Sequence, residues 1–136
     1  MKGQATPYLM FDGNARQALE FYRDVFQGEI TDAQTYAESG YSTSPEASDR
    51  LIHVRFKKDD LFLMASDAFP GNPVQVGNNI SLALDFETEE EIQQIYNALS
   101  ENGTVFMELQ DTFWGAKYAK VKDAFGVIWD LNHTKA

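Results

Sequence analysis

One pattern occurs twice along the chain, and it limits the fold more than any other feature. The first copy opens on TPYLMF (6–11), an apolar stretch that reads as a strand and is broken by Asp12-Gly13-Asn14. Asn14 is placed to cap a helix, with Gln17 as the return half of a capping box. In ARQALEFYRDVF (15–26), Ala15, Ala18, Leu19, Tyr22 and Phe26 recur at helical spacing, and Gly28 supplies the stop. Strands are predicted at EITDAQTY (29–36), LIHVRFKK (51–58) and LFLMAS (61–66), while the small, polar stretch 37–49 reads as a mobile loop. The second copy starts with a strand, ISLALDF (80–86). A helix over TEEEIQQIYNALS (88–100) follows, with Thr88 and Glu91 as its capping box, an apolar stripe of Ile92, Ile95, Tyr96 and Leu99, and Gly103 as its stop. Three more strands are predicted at 104–110, 116–123 and 127–133, the last two joined by a tight turn at Asp123-Ala124-Phe125-Gly126.

A sheet of four strands with one helix on it has a second face left to cover. Two βαβββ modules therefore predict an α+β protein in which curved mixed sheets surround a cleft. The first module spans about 6–67, a Pro- and Gly-rich linker about 68–78, and the second module about 79–134 of a single domain, 1–136. Strand alternation turns Pro7, Leu9, Phe11, Val54, Phe56, Ile80, Leu82, Leu84, Trp129 and Leu131 toward the helices. The opposite parity is more polar, and polar groups converging on an enclosed face are the default place for a ligand.

Composition bounds the partners. Acids outnumber bases 21 to 11, for a net charge of −10, which argues against sequence-independent binding to nucleic acid and leaves room for a cationic ligand. There is no cysteine, hence no thiolate metal site, disulfide or Cys nucleophile. The glycines are scattered at turns, and no glycine-rich loop is placed to cradle a phosphate. No apolar run approaches the roughly 20 residues that span a membrane, and MKGQATPYLMF lacks the apolar centre of a signal peptide, so a cytoplasmic location is expected. Ten Phe, six Tyr and two Trp supply a bulky core, an aromatic-lined cavity, or both.

Asp130 is the candidate catalytic residue, an acid on the polar parity of the last strand. It reads as half of an ion pair with Arg55 or Lys120 that fixes the sheets, or as an acid that accepts a cationic or hydroxyl group or acts as a base. His53 lies mid-strand and reads as a hydrogen-bonded structural histidine or a proton shuttle; His133 reads as solvated. Tyr8 and Tyr118 present hydroxyls on the cleft parity. Met64 reads as adaptable cavity filler. Phe113-Trp114-Gly115 interrupts a strand with two rings, which suit either the wall of a ligand site or a dimer contact. With Asn79, these make the candidate ligand-binding set Tyr8, His53, Arg55, Met64, Asn79, Phe113, Trp114, Tyr118 and Lys120.

Three stretches, PYLMFDGNARQALEFYRDVFQGEI (7–30), ISLALDF with its helix, and QDTFWGAKYAKVKDAFGVIWDLN (110–132), make the chain resemble the vicinal oxygen chelate superfamily of glyoxalase I, bleomycin resistance proteins and extradiol dioxygenases. The Phe-Trp-Gly and Asp-x-Phe-Gly-Val-x-Trp signatures resemble its PhnB-like branch, which is named for a phosphonate-utilisation gene cluster and implies no settled activity. Metal-dependent members hold a divalent ion with one side chain from the first and one from the last strand of each module. Those positions here offer Thr6 (or Gln4 in a register two residues earlier), Met64, Asn79 and Asp130, of which only Asp130 is a good ligand for a hard ion. The resemblance thus implies a homodimer that binds a small organic molecule with no cofactor, a cation being the ligand the net charge favours; the alternatives are a metal-dependent lyase, isomerase or dioxygenase, and a non-catalytic interaction dimer.

Overall fold

The computed structural model describes residues 1–42 and 44–135. The chain divides into two compact units, Met1–Gln75 and Val76–Ala136. In the first, β1 (Tyr8–Phe11), α1 (Ala15–Phe26), β2 (Glu29–Thr35), α2 (Tyr36–Ser39), β3 (Leu51–Lys58) and β4 (Leu61–Asp67) build a sheet of order β1-β4-β3-β2. In the second, β5 (Leu82–Asp85), α3 (Glu89–Ser100), β6 (Thr104–Asp111), β7 (Ala116–Lys122) and β8 (Ile128–Thr134) build β5-β8-β7-β6. Each sheet has one parallel pair, β1 with β4 and β5 with β8, and is otherwise antiparallel. The α+β class and the paired βαβββ order are as expected.

The registers show how closely the units copy one another. Met64 lies beside Tyr8 on one neighbour and Arg55 on the other; Asp130 lies beside Ala83 and Lys120. Met64 and Asp130 are therefore counterparts, as are Arg55 and Lys120. His53 and Tyr118, each two residues earlier on its strand, are counterparts as well.

Each helix lies on its own sheet, α1 on β2, β3 and β4, and α3 on β6, β7 and β8. Beneath α1 sit Leu19, Tyr22, Val54, Phe56, Leu63 and Ala65, all fully buried. Ile92 and Leu99 of α3 meet an equally buried layer of Ala119, Val121, Trp129 and Leu131. A buried large apolar side chain contributes roughly 1.5–3 kcal/mol, so these layers hold the units together. The alternation fails at two places. Ile80 is 74% exposed, because β5 starts only at Leu82, and Ile128 is buried despite its polar-face parity.

The helix ends differ from the local rules. Asn14 makes no side-chain cap. The carboxylate of Asp67, at the far end of β4 and 2% exposed, takes that part: its Oδ1 accepts from the backbone N–H of Gly13 (3.0 Å) and Ala15 (2.9 Å), and its Oδ2 from Leu51 (2.9 Å). A charged acceptor at a helix N-terminus also meets the positive end of the helix dipole. At α3, Thr88 accepts from the Glu91 N–H at 3.1 Å, the forward half of the expected capping box. Gly28 and Gly103 do not adopt left-handed backbone; Gln27 (φ 57°) and Asn102 (φ 59°) do. The glycines serve close approach instead. A Cβ on Gly28 would lie 2.4 Å from Phe56, and one on Gly103 2.4 Å from the carbonyl oxygen of Lys122.

The stretch 37–49, expected as a mobile loop, carries structure on either side of Thr43, which lies outside the described residues. Thr35 and Glu38 form a reciprocal capping box around the single turn of α2, and Tyr36 and Arg50 are joined by a backbone hydrogen bond of 2.9 Å. Tyr36 buries its ring against Phe69 and Tyr41 and donates its hydroxyl to the Asp67 carbonyl at 2.8 Å.

Candidate functional site

On the face of the second sheet turned away from α3, β8 brings Asp130 between β5 and β7. The hydroxyl of Ser81 donates to Asp130 Oδ2, and that of Tyr118 to Oδ1. Burial, and then the hydrogen bond to Asp130, push the Tyr118 phenol up to about 12. Lys120 faces Asp130 across the strand pair, yet among the described residues Asp130 has no ion-pair partner. Arg55 pairs with Asp32 in the first unit at 3.5 Å, so the expected Asp130 ion pair is replaced by two hydroxyl donors.

The turn between β6 and β7 carries the aromatic residues. Thr112 closes it by hydrogen bonds to Ala116, and Gly115 takes the left-handed conformation (φ 82°) that lets the chain reverse. Phe113, 97% exposed, and Trp114, 55% exposed, meet edge to face with ring centres 5.0 Å apart. Trp114 meets Tyr118 in the same manner at 6.0 Å. Two exposed rings thus lead to the phenol that donates to Asp130.

The first sheet carries a different cluster on the face turned away from α1. Tyr8 Oη and His53 Nδ1 are 2.9 Å apart, and Arg55 Nε donates to His53 Nε2 at 3.2 Å. Met64 stands between Tyr8 and Arg55 in register, and Ser66 donates to the sulfur of Met10 at 3.4 Å. His133, expected as solvated, is half-buried and bonds through Nδ1 to the Phe86 carbonyl at 2.9 Å.

The candidate metal positions separate by unit. Thr6 is exposed and precedes β1, and its nearest counterpart on the last strand is the thioether of Met64. In the second unit Asn79 is exposed and precedes β5 by three residues. Register explains why Asn79 falls short: Thr6 stands two residues before the partner of Met64, and the residue two before the partner of Asp130 is Ser81. Ser81 was visible in the sequence only as one polar residue among several on its strand. A thioether, hydroxyls and one carboxylate already engaged by two donors do not fit a hard divalent ion. Among the described residues no group of three or more His, Asp or Glu side chains stands ready to hold one.

Paired βαβββ sheets with this register define a member of the vicinal oxygen chelate superfamily, of the PhnB-like branch. Within it, the chain belongs to the family described as 3-demethylubiquinone-9 3-methyltransferase, whose model matches residues 3–132. Protein PA1353 from Pseudomonas aeruginosa is 33% identical, covering 99% of this chain and 100% of that one, with a TM-score of 0.86. The PhnB protein from Bacillus cereus is 29% identical over 97% and 100% of the two chains, with a TM-score of 0.84. FosX, the fosfomycin resistance protein of Listeria monocytogenes, shares the fold alone: 11% identity over 99% of this chain and 95% of that one, TM-score 0.68.

Proposed function

We propose that this PhnB-like protein binds a small organic cation bearing an aromatic ring on the Asp130 face of its second unit, without transforming it. One observation carries the reading: a carboxylate with no cationic partner among the described residues accepts from a phenol whose ring meets the exposed Trp114, which in turn meets Phe113. Each Asp130 oxygen keeps acceptor capacity after receiving one hydroxyl. An ammonium group bound there gains the charge of Asp130, and its ring or methyl groups gain the π face of Trp114. A substrate hydroxyl, by contrast, must compete with Ser81 or Tyr118 for the same oxygens, which disfavours Asp130 as a base. The net charge of −10 draws cations toward the molecule over distances set by ionic strength.

Homodimerisation is part of the same proposal. Val105, Phe106 and Met107 are all exposed on β6, an edge strand, and an apolar edge left bare invites association. A cytoplasmic location fits as well; among the described residues no helix is long and apolar enough to cross a membrane.

Titration with benzyltrimethylammonium tests the site. Saturable quenching of Trp114 fluorescence is expected, weakened about tenfold in Asp130→Asn, the loss of one charge-assisted contact. No binding up to about 10 mM, or equal affinity in the variant, overturns the reading. One equivalent of Ni, Zn, Mn or Fe per chain after chelator-free purification replaces it with metal-dependent chemistry. Methylation of a catechol by S-adenosylmethionine in the protein's presence replaces it with the methyl transfer in the family's description.

A further inference from the structure

We infer that the face of the first sheet turned away from α1 is a hydrogen-bond-donor site for a carboxylate-type oxyanion, with Tyr8 as its donor and Asp32, Arg55 and His53 as the residues that set it. This goes beyond the cation site at Asp130 and does not depend on it.

Arg55 Nε can only donate, and it lies 3.2 Å from His53 Nε2, so that nitrogen carries the lone pair. The ring is then neutral with its proton on Nδ1, because an imidazolium would set two N–H groups against each other at Nε2. The Nδ1 proton points at Tyr8 Oη, 2.9 Å away, and Tyr8 is the acceptor in that pair. The phenol's own proton has no partner among the described residues. Tyr8 is 48% exposed, so this proton is offered outward from the sheet.

Arg55 is itself held. Its terminal nitrogen meets Asp32 at 3.5 Å, and Asp32 reaches it from an irregularity in the pairing of β2 with β3 between Thr31 and Gln34. Asp32 there adopts left-handed backbone, φ 55°, which a side-chain-bearing residue takes up only at a cost. Bulges of this kind re-aim side chains. Four residues from three strands thus make one chain: Arg55 pairs with Asp32 and donates to His53, and His53 donates to Tyr8, whose own O–H has no partner among the described residues. A phenol O–H whose oxygen already accepts a hydrogen bond is matched by an anionic oxygen acceptor. The second unit has the opposite sense: its counterpart of His53 is Tyr118, which gives its proton inward to Asp130.

Sodium benzoate, with benzyltrimethylammonium as the cation control, tests this by ¹⁵N and ¹H NMR of the intact chain. The long-range ¹⁵N spectrum at neutral pH is expected to show His53 protonated on Nδ1. Benzoate is expected to move the Tyr8 and His53 signals, and the cation is not. Tyr8→Phe should weaken benzoate at least about tenfold while leaving the His133 and Trp129 signals in place. Arg55→Lys keeps the charge but not the Nε donor, and should shift the His53 tautomer balance, an effect that a merely structural arginine would not produce. Protonation of His53 on Nε2, benzoate shifts confined to other residues, or unchanged affinity in Tyr8→Phe each overturn the inference. Loss of cation binding with benzoate binding intact counts against the Asp130 reading alone.

Discussion

The two faces differ at single residues, and Tyr118 shows it most directly. Its phenol is held near 12 by burial and by the Asp130 carboxylate that accepts its proton. An acid whose proton is held more tightly in the folded chain stabilises that state at pH values below its ordinary value of 10.0. The contribution falls as pH rises from there toward about 12. Absorbance titration of the phenolates should therefore show a tyrosine that ionises late, and Tyr118→Phe should remove that late step and flatten the loss of stability over the same interval. A normal titration of all six tyrosines would remove the Tyr118–Asp130 bond from the site. Asp130 and Tyr118 were legible singly in the sequence as residues of one parity. Their bond was not, because a parity names a face, whereas two side chains meet only once the register between β7 and β8 is fixed.

Elements whose cause is local were read closely. The helical stripe of 15–26 and the alternation of 51–58 give α1 and β3 their observed bounds. α2 was missed although Thr35-x-x-Glu38 is a capping-box spelling; its single turn has no apolar stripe to announce it. The helix stops were placed correctly but for the wrong reason, since Gly28 and Gly103 are required by what approaches them across the unit. Substituting alanine at Gly28 sets a Cβ 2.4 Å from the Phe56 ring and 2.8 Å from the Lys57 carbonyl; at Gly103 it meets the Lys122 carbonyl at 2.4 Å. Each variant should lose about 1–3 kcal/mol in urea denaturation, as overpacked sites do. Gly40→Ala meets no atom within 4 Å and pays only for its left-handed backbone, φ 78°. It should lose less, about 1 kcal/mol. Equal losses at all three positions would refute the steric account.

For the whole molecule, charge and edge strands set the behaviour. A chain of 15.4 kDa with net charge −10 repels its copies at low salt, while the apolar run on β6 favours their contact. The proposed dimer should accordingly show twice the chain mass in sedimentation equilibrium at micromolar concentration, and tighten as salt screens the charge. Phe106→Asp, which adds an acid to the exposed edge, should shift it to monomer with little change in folding. A monomer in the unmodified protein would reject the dimer and leave both ligand sites standing, since each is built within one unit.

The Asp67 carboxylate has a consequence for how the chain comes into being. Helix α1 waits for a partner some fifty residues downstream before its first turn is satisfied, whereas α3 carries its own hydroxyl in Thr88. On a translating ribosome the earlier helix therefore emerges unfinished and the later one complete. The first half of the molecule closes only when residue 67 has left the tunnel, and a pause before that codon would prolong the exposure of Leu19, Tyr22 and Phe26 to whatever else is in solution.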